Sequence, residues 1–163
     1  MTYHLTGSCQ CGAVKFSVES HAPVPYQFCY CSICRKTGGG GGYAINLSAD
    51  ARTLRVYDDH GKRLYHARME ENGGAHLSSA ERHFCGRCGT HLWLFSPEWP
   101  DLVHPLASAI DSELPMPPER VHMMLGSKAS WVRPEVGPHD RCFAGYPEQS
   151  IEEWHRERGL WSE

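Results

Sequence analysis

Residues Ala13 to Glu19 alternate apolar Val14, Phe16 and Val18 with polar Lys15, Ser17 and Glu19. A period of two marks a strand with one buried face. Shorter runs of the same kind recur at Tyr43 to Leu47, Leu54 to Tyr57, Leu64 to Arg68, His91 to Phe95, Leu102 to Ile110 and Val121 to Leu125. Gly, Pro, Asp and Asn cluster between them, the residues of turns. The pattern predicts one helix, near the C-terminal end, where Ser150 with Glu153 three residues later forms a capping box for Ser150 to Arg158. Pro97 to Pro100 and Pro115 to Pro118 read as loops. The chain shows neither an internal repeat nor a linker long enough to divide it, so residues 1–163 are expected to form a single, mainly β domain.

Composition narrows the class. A mean hydropathy of -0.48, with no apolar run near the ~20 residues that span a bilayer, argues against a transmembrane protein and against a membrane partner. Met1 to Cys9 has neither the cationic region nor the apolar stretch of a secretory signal, so a cytoplasmic location is expected. The 16 Lys and Arg against 19 Asp and Glu leave a formal charge of -3. Nucleic-acid binders carry a basic surplus to neutralise phosphates, so no nucleic-acid partner is expected. Arg35-Lys36 and Lys62-Arg63 are too short for such a footprint.

Eight cysteines need a reason in a reducing compartment, where structural disulfides do not persist. Their spacing supplies one. Cys9 and Cys11 form CxC in SCQCG, Cys29, Cys31 and Cys34 form CxCxxC in CYCSICRK, and Cys85 and Cys88 form CxxC in FCGRCGTH; Cys142 stands alone. The outer pairs are followed by Gly12 and Gly89, whose tolerance of positive φ allows the tight turn that aims two thiolates at one point. Zinc suits thiolates because it is borderline soft, redox-silent and content with four tetrahedral ligands. Joining the outer pairs gives a closed four-thiolate site, and the middle triplet is left as a three-ligand site with one open position. The alternative is a set of unmetallated buried thiols.

The order CxCG, then CxCxxCRK with Gly soon after, then FCxxCGT followed by an aromatic strand resembles the glutathione-dependent formaldehyde-activating enzyme (Gfa) family, whose domain is shared with centromere protein V. The resemblance extends over about Leu5 to Pro134, including HMMLGSKASW, and leaves the terminal helix in a C-terminal extension. It implies a β-tent fold of small antiparallel sheets around zinc. It also implies a structural zinc on Cys9, Cys11, Cys85 and Cys88, and a more labile, catalytic zinc on Cys29, Cys31 and Cys34. The family reaction joins glutathione to formaldehyde as S-hydroxymethylglutathione, a carbon-sulfur lyase chemistry.

An open three-thiolate site suits that class, because the free position can take a substrate thiol or a carbonyl oxygen. A fourth protein ligand would instead make it a second structural site. Beside the triplet, Arg35 and Lys36 are candidate partners for the carboxylates of glutathione. Gly38 and Gly39, in the run Gly38 to Gly42, would let an extended ligand approach the backbone. A flexible surface loop is the competing reading of that run.

Of the 11 histidines, His91 lies nearest a cysteine pair and reads as a neighbour rather than a ligand. His66, His76, His83 and His122 show no metal spacing. Cys142 reads as a free or buried thiol. Trp93, Phe95 and Trp131 are assigned to the core, and Trp154 and Trp161 either dock the terminal helix or meet a second subunit of a homo-oligomer. The two functions in contention are a zinc-dependent lyase acting on a small thiol and a non-enzymatic zinc module that recognises a protein or, second to that, a nucleic acid.

Overall fold

The computed structural model describes residues 1–38 and 40–163. In chain order its first elements are β1 (Tyr3–Ser8), β2 (Val14–Ser20), β3 (Gln27–Cys29), α1 (Ser32–Gly38), β4 (Ala44–Ile45), β5 (Ala49–Asp50) and β6 (Arg55–Asp59). These are followed by β7 (Lys62–Glu71), β8 (Gly74–Cys85), β9 (His91–Phe95), β10 (Leu102–Pro105), β11 (Val121–Met123), β12 (Arg141–Cys142) and α2 (Ile151–Glu157). No helix among the described residues is long and apolar enough to cross a membrane.

The expected alternation in β2 is realised: Val14, Phe16 and Val18 are buried on one face of the antiparallel sheet β1-β2-β6. Gly7 of β1 lies opposite Phe16, and a Cβ there would stand 2.4 Å from the Phe16 ring, so glycine is what lets that ring fold over β1. Phe16 meets Trp93 of β9 edge to face, with centroids 4.9 Å apart. That contact joins the first sheet to the second, an antiparallel sheet in the order β5-β10-β9-β8-β7.

Strands β7 and β8 form a long hairpin closed by Asn72 (φ 50) and Gly73 (φ 78). Glu71 pairs with Gly74, so the loop has two residues with positive φ, the type I′ turn that matches strand twist. The distal part of the ribbon is exposed on both faces. Its strands therefore carry no inside-outside alternation, and β8 had no counterpart among the sequence expectations. Two other elements differ from them. The run from Leu102 leaves the sheet at Pro105 and turns through a 3-10 helix at Ala107–Ala109. The triplet region, where no helix was expected, contains α1.

The third sheet, β12-β11-β3-β4, departs from the antiparallel expectation: β11 runs parallel to both β3 and β12. Behind it a buried polar chain fixes the β11 register. Tyr30 donates its hydroxyl proton to His122 Nδ1 at 2.8 Å, and His122 Nε2 donates to Asp140 at 2.9 Å. Asp140 also accepts the N–H groups of Arg120 and Gly137, each at 2.9 Å. Against the opposing effect of burial, the Gly137, His122 and Arg120 hydrogen bonds hold the Asp140 carboxyl down at about 2.

At the C-terminal end, Ser150 Oγ accepts the Glu153 N–H at 3.1 Å, the expected cap of α2. Seven residues are too few to hold a helix without tertiary support, and the chain supplies it. Trp154 is 1% exposed and stacks on Tyr26 at 3.6 Å and 6°. His155 is fully buried: its Nδ1 donates to the Ile151 carbonyl at 2.8 Å and its Nε2 accepts the Val24 N–H at 3.1 Å, so one neutral tautomer satisfies both. Trp161 stacks on His21 at 5.0 Å. Trp93 is core as expected and Phe95 packs at its edge, whereas Trp131 is 66% exposed.

Candidate metal centres

The outer cysteines arrive on two turns, each closed by a glycine with positive φ. After β1, the Gly12 N–H bonds the Cys9 carbonyl at 3.1 Å with Gly12 at φ +80; after β8, the Gly89 N–H bonds the Cys85 carbonyl at 2.8 Å with Gly89 at φ +82. The Gln10 N–H donates to Thr90 Oγ1 at 3.1 Å and ties one turn to the other. The sulfurs of Cys9, Cys11, Cys85 and Cys88 all lie within 4.8 Å of one another. Cys9 to Cys11 is 3.6 Å and Cys11 to Cys85 is 3.8 Å. Four sulfurs ~2.3 Å from one zinc make a tetrahedron with edges of about 3.8 Å, so these donors fit a metal by chemistry and by size. Backbone N–H groups of Val14 and Arg87 point at Cys9 and Cys85 at 3.2 and 3.4 Å, and hydrogen bonds from Thr90 bring the Cys88 thiol down to about 5. Both features favour thiolates.

The middle triplet is built differently. Cys29 ends β3, while Cys31 and Cys34 flank the first turn of α1, where the Cys34 N–H donates to Cys31 Sγ at 3.3 Å. The three sulfurs again lie within 4.8 Å of one another, with Cys29 and Cys34 buried and Cys31 half-buried. Among the described residues no fourth Cys, His, Asp or Glu joins the group. Hydrogen bonds from the Cys29 and Cys34 thiols draw Cys31 down to about 2, and the same contacts push Cys29 up. One proton leaves readily and the others resist; a bound divalent cation favours three thiolates instead.

A cavity of about 490 Å³, lined by neighbours of this triplet though by none of its three cysteines, lies next to it. Asn46 lines it and directs its amide N–H at Cys34 Sγ, 4.0 Å away. Met123, also in the lining, pairs with Cys29 across β11 and β3. The next residue's N–H, that of Met124, bonds the Gly145 carbonyl at 2.8 Å, which delivers Tyr146 to the rim. Tyr146 is 78% exposed, and desolvation and the charge of the Cys31, Cys29 and Cys34 sulfurs raise its phenol. The segment from Tyr146 to Ile151 lines the cavity, as do His104 and Trp99.

Arg35 and Lys36 lie in α1, half-buried and exposed respectively, and neither belongs to the cavity lining. Gly38 ends α1, its Cβ position 3.4 Å from Leu106, and Gly39 falls outside the described residues. Gly42 has a separate reason to be glycine: it sits at φ +91, and a Cβ would stand 2.4 Å from Val132. Sequence reasoning missed Asn46, His104, Tyr146 and Arg82. Arg82 donates to Thr37 Oγ1 at 3.4 Å, and its charge acts on Cys34 and Tyr146. The Nε atoms of Arg82 and Arg35 are both buried without a hydrogen-bond partner. His91 stacks on Phe84 at 5.7 Å and belongs to neither metal group; burial and Arg82 lower its pKa to about 4. Cys142 is exposed on β12, away from both groups.

The sequence profile described as "Glutathione-dependent formaldehyde-activating enzyme" matches residues 4–127. A Halomonas elongata protein bearing the name "Putative glutathione-dependent formaldehyde-activating enzyme" is 59% identical over 156 residues, spanning 96% of this chain and 97% of its own. The crystal structure of a Rhodobacter sphaeroides protein superposes with a TM-score of 0.50 at 25% identity, covering 69% of this chain and 99% of that one. All seven clustered cysteines lie within the matched profile, whereas Tyr146 to Ile151 lie beyond it. The chain belongs to the glutathione-dependent formaldehyde-activating enzyme family.

Proposed function

We propose that this protein is a zinc-dependent, carbon-sulfur lyase-like enzyme that makes and breaks the adduct of a small thiol, glutathione first among them, with an aldehyde. One observation carries the reading: Cys29, Cys31 and Cys34 gather three sulfurs, with no fourth Cys, His, Asp or Glu among the described residues, next to a cavity of about 490 Å³ that Asn46 and Met123 line. Cys9, Cys11, Cys85 and Cys88 hold a structural zinc that ties β1 to β8, and the triplet holds the catalytic one, two zincs per chain. Zinc at a three-thiolate site lowers the pKa of a substrate thiol and polarises a carbonyl.

The chain's own residues do the rest. Asn46 fixes the Cys34 sulfur from the cavity side. Arg35, Lys36 and Arg82 lie outside the cavity lining and offer cations to the carboxylates of a glutathione that reaches past it. Gly38, which ends α1, bounds the same approach. The segment from Tyr146 to Ile151, which runs into α2, completes the lining of the cavity. Residues 1–163 act as a single domain, in which the zinc-binding part of about residues 5–134 is completed by the C-terminal extension. Seven reduced cysteines suit the cytoplasm.

Metal analysis with Cys31→Ser tests this. Wild-type protein is expected to hold two zincs and to bind glutathione in calorimetry; C31S is expected to hold one, keep its fold and lose the binding. Unchanged metal content and unchanged thiol binding in C31S would sink the proposal.

A further inference from the structure

The cavity carries a histidine that neither metal group uses. His104 Nδ1 donates to the Leu47 carbonyl at 2.8 Å, which fixes the tautomer and leaves Nε2 as the unprotonated nitrogen. The ring is held against Trp99, centroids 4.9 Å apart, and lines the cavity that Asn46 connects to Cys34. The groups around it leave Nε2 free to accept a proton. Trp99 and the Leu47 carbonyl are uncharged, Glu148 is exposed and is the one carboxylate among the lining residues, Tyr146 is the one phenol, and no lining residue is Lys or Arg. Burial lowers the imidazole's pKa, opposed by the Leu47 hydrogen bond.

We infer that His104 is the acid-base group of this cavity, shuttling the one proton that must move when a thiol adds to a carbonyl. This rests on the proposed lyase-like function. In the addition, the S–H proton goes to His104 Nε2 and the sulfur electron pair forms the S–C bond. The carbonyl π pair becomes an alkoxide lone pair, and the alkoxide takes the proton back from His104. Cleavage runs the same transfers in reverse, and neither direction needs an oxidant, a reductant or a third reactant.

His104→Gln keeps an N–H donor for Leu47 and removes the base. In the two-zinc protein, exchange between glutathione with formaldehyde and S-hydroxymethylglutathione can be followed by saturation-transfer NMR. H104Q is expected to slow the exchange about 100- to 10,000-fold, to lose the acid limb of the pH profile, and to keep zinc content and glutathione affinity. Nitrogen-15 histidine spectra give a readout independent of turnover: His104 should be an Nδ1–H tautomer whose Nε2 signal moves when glutathione binds. An H104Q rate within threefold of wild type, an unchanged acid limb, or an Nε2 signal indifferent to glutathione would overturn the role alone. A wild-type protein that binds glutathione without accelerating exchange would overturn the enzymatic reading and this role together.

Discussion

Replacing Trp154 probes how the C-terminal extension supports the cavity. Its indole is 1% exposed, stacked on Tyr26 at 3.6 Å with the Arg158 guanidinium 4.5 Å from its centroid. Truncating a buried aromatic costs about 3 to 5 kcal/mol, and in a domain of this size each kcal/mol moves Tm by about 2 to 4 °C. Trp154→Ala is therefore expected to lower Tm by about 6 to 20 °C at fixed zinc concentration. Because α2 anchors the wall from Tyr146 to Ile151, W154A should also weaken glutathione binding with both zincs retained. Trp154→Phe separates packing from polarity. It keeps an aromatic ring on Tyr26 and removes an indole N–H that is buried without a partner, a group whose burial costs about 1 to 3 kcal/mol. W154F should lose less than half as much Tm as W154A. A W154A protein melting within about 2 °C of wild type, with unchanged glutathione affinity, would refute the idea that this side chain holds the wall.

Other substitutions reach different parts of the molecule. Gly42→Ala forces a Cβ to 2.4 Å from Val132 at φ +91 and is expected to cost about 1 to 3 kcal/mol in urea unfolding; a neutral result would mean that the turn relaxes freely. The fall of the Asp140 carboxyl from 3.8 to about 2 corresponds to about 2 kcal/mol of stability. Because the folded value is the lower one, that contribution is complete above about pH 4 and is lost as pH falls toward 2. Asp140→Asn should thus destabilise most at neutral pH, with the gap to wild type narrowing below pH 4; a pH-independent gap would contradict the linkage. Arg82→Gln, removing a charge-assisted donor worth about 1.5 to 3 kcal/mol, should weaken glutathione binding about tenfold to a hundredfold while leaving the affinity for an uncharged thiol such as mercaptoethanol unchanged. Equal losses for both thiols would remove Arg82 from carboxylate recognition.

What the sequence disclosed follows from how far each signal travels along the chain. The seven cysteines are legible because ligand spacing within a turn is local, and pairing the outer turns follows from counting donors. Val14, Phe16 and Val18 are legible because one face of β2 is dry. Strand β8 is not, since its distal half is wet on both faces; its usable mark was the Asn72-Gly73 turn rather than any periodicity. Helix α1 is too short to show a helical repeat. The parallel pairing of β11 depends on the buried Tyr30, His122 and Asp140 chain, whose members are far apart in sequence. The cavity is the least legible feature, because Asn46, Arg82, His104 and Tyr146 come from four separate segments. His104 hides inside an apolar run that reads simply as strand.

X-ray absorption at the zinc edge reads the open position itself. Seven cysteine sulfurs shared by two zincs average about 3.5 per metal, and one substrate sulfur on the triplet's zinc raises that to about 4. Adding glutathione to the two-zinc protein is expected to produce this rise, with the same step absent in C31S. A spectrum that already shows four sulfurs per zinc without thiol, or one that glutathione leaves unchanged, would contradict an open Cys29, Cys31 and Cys34 centre as the seat of the chemistry.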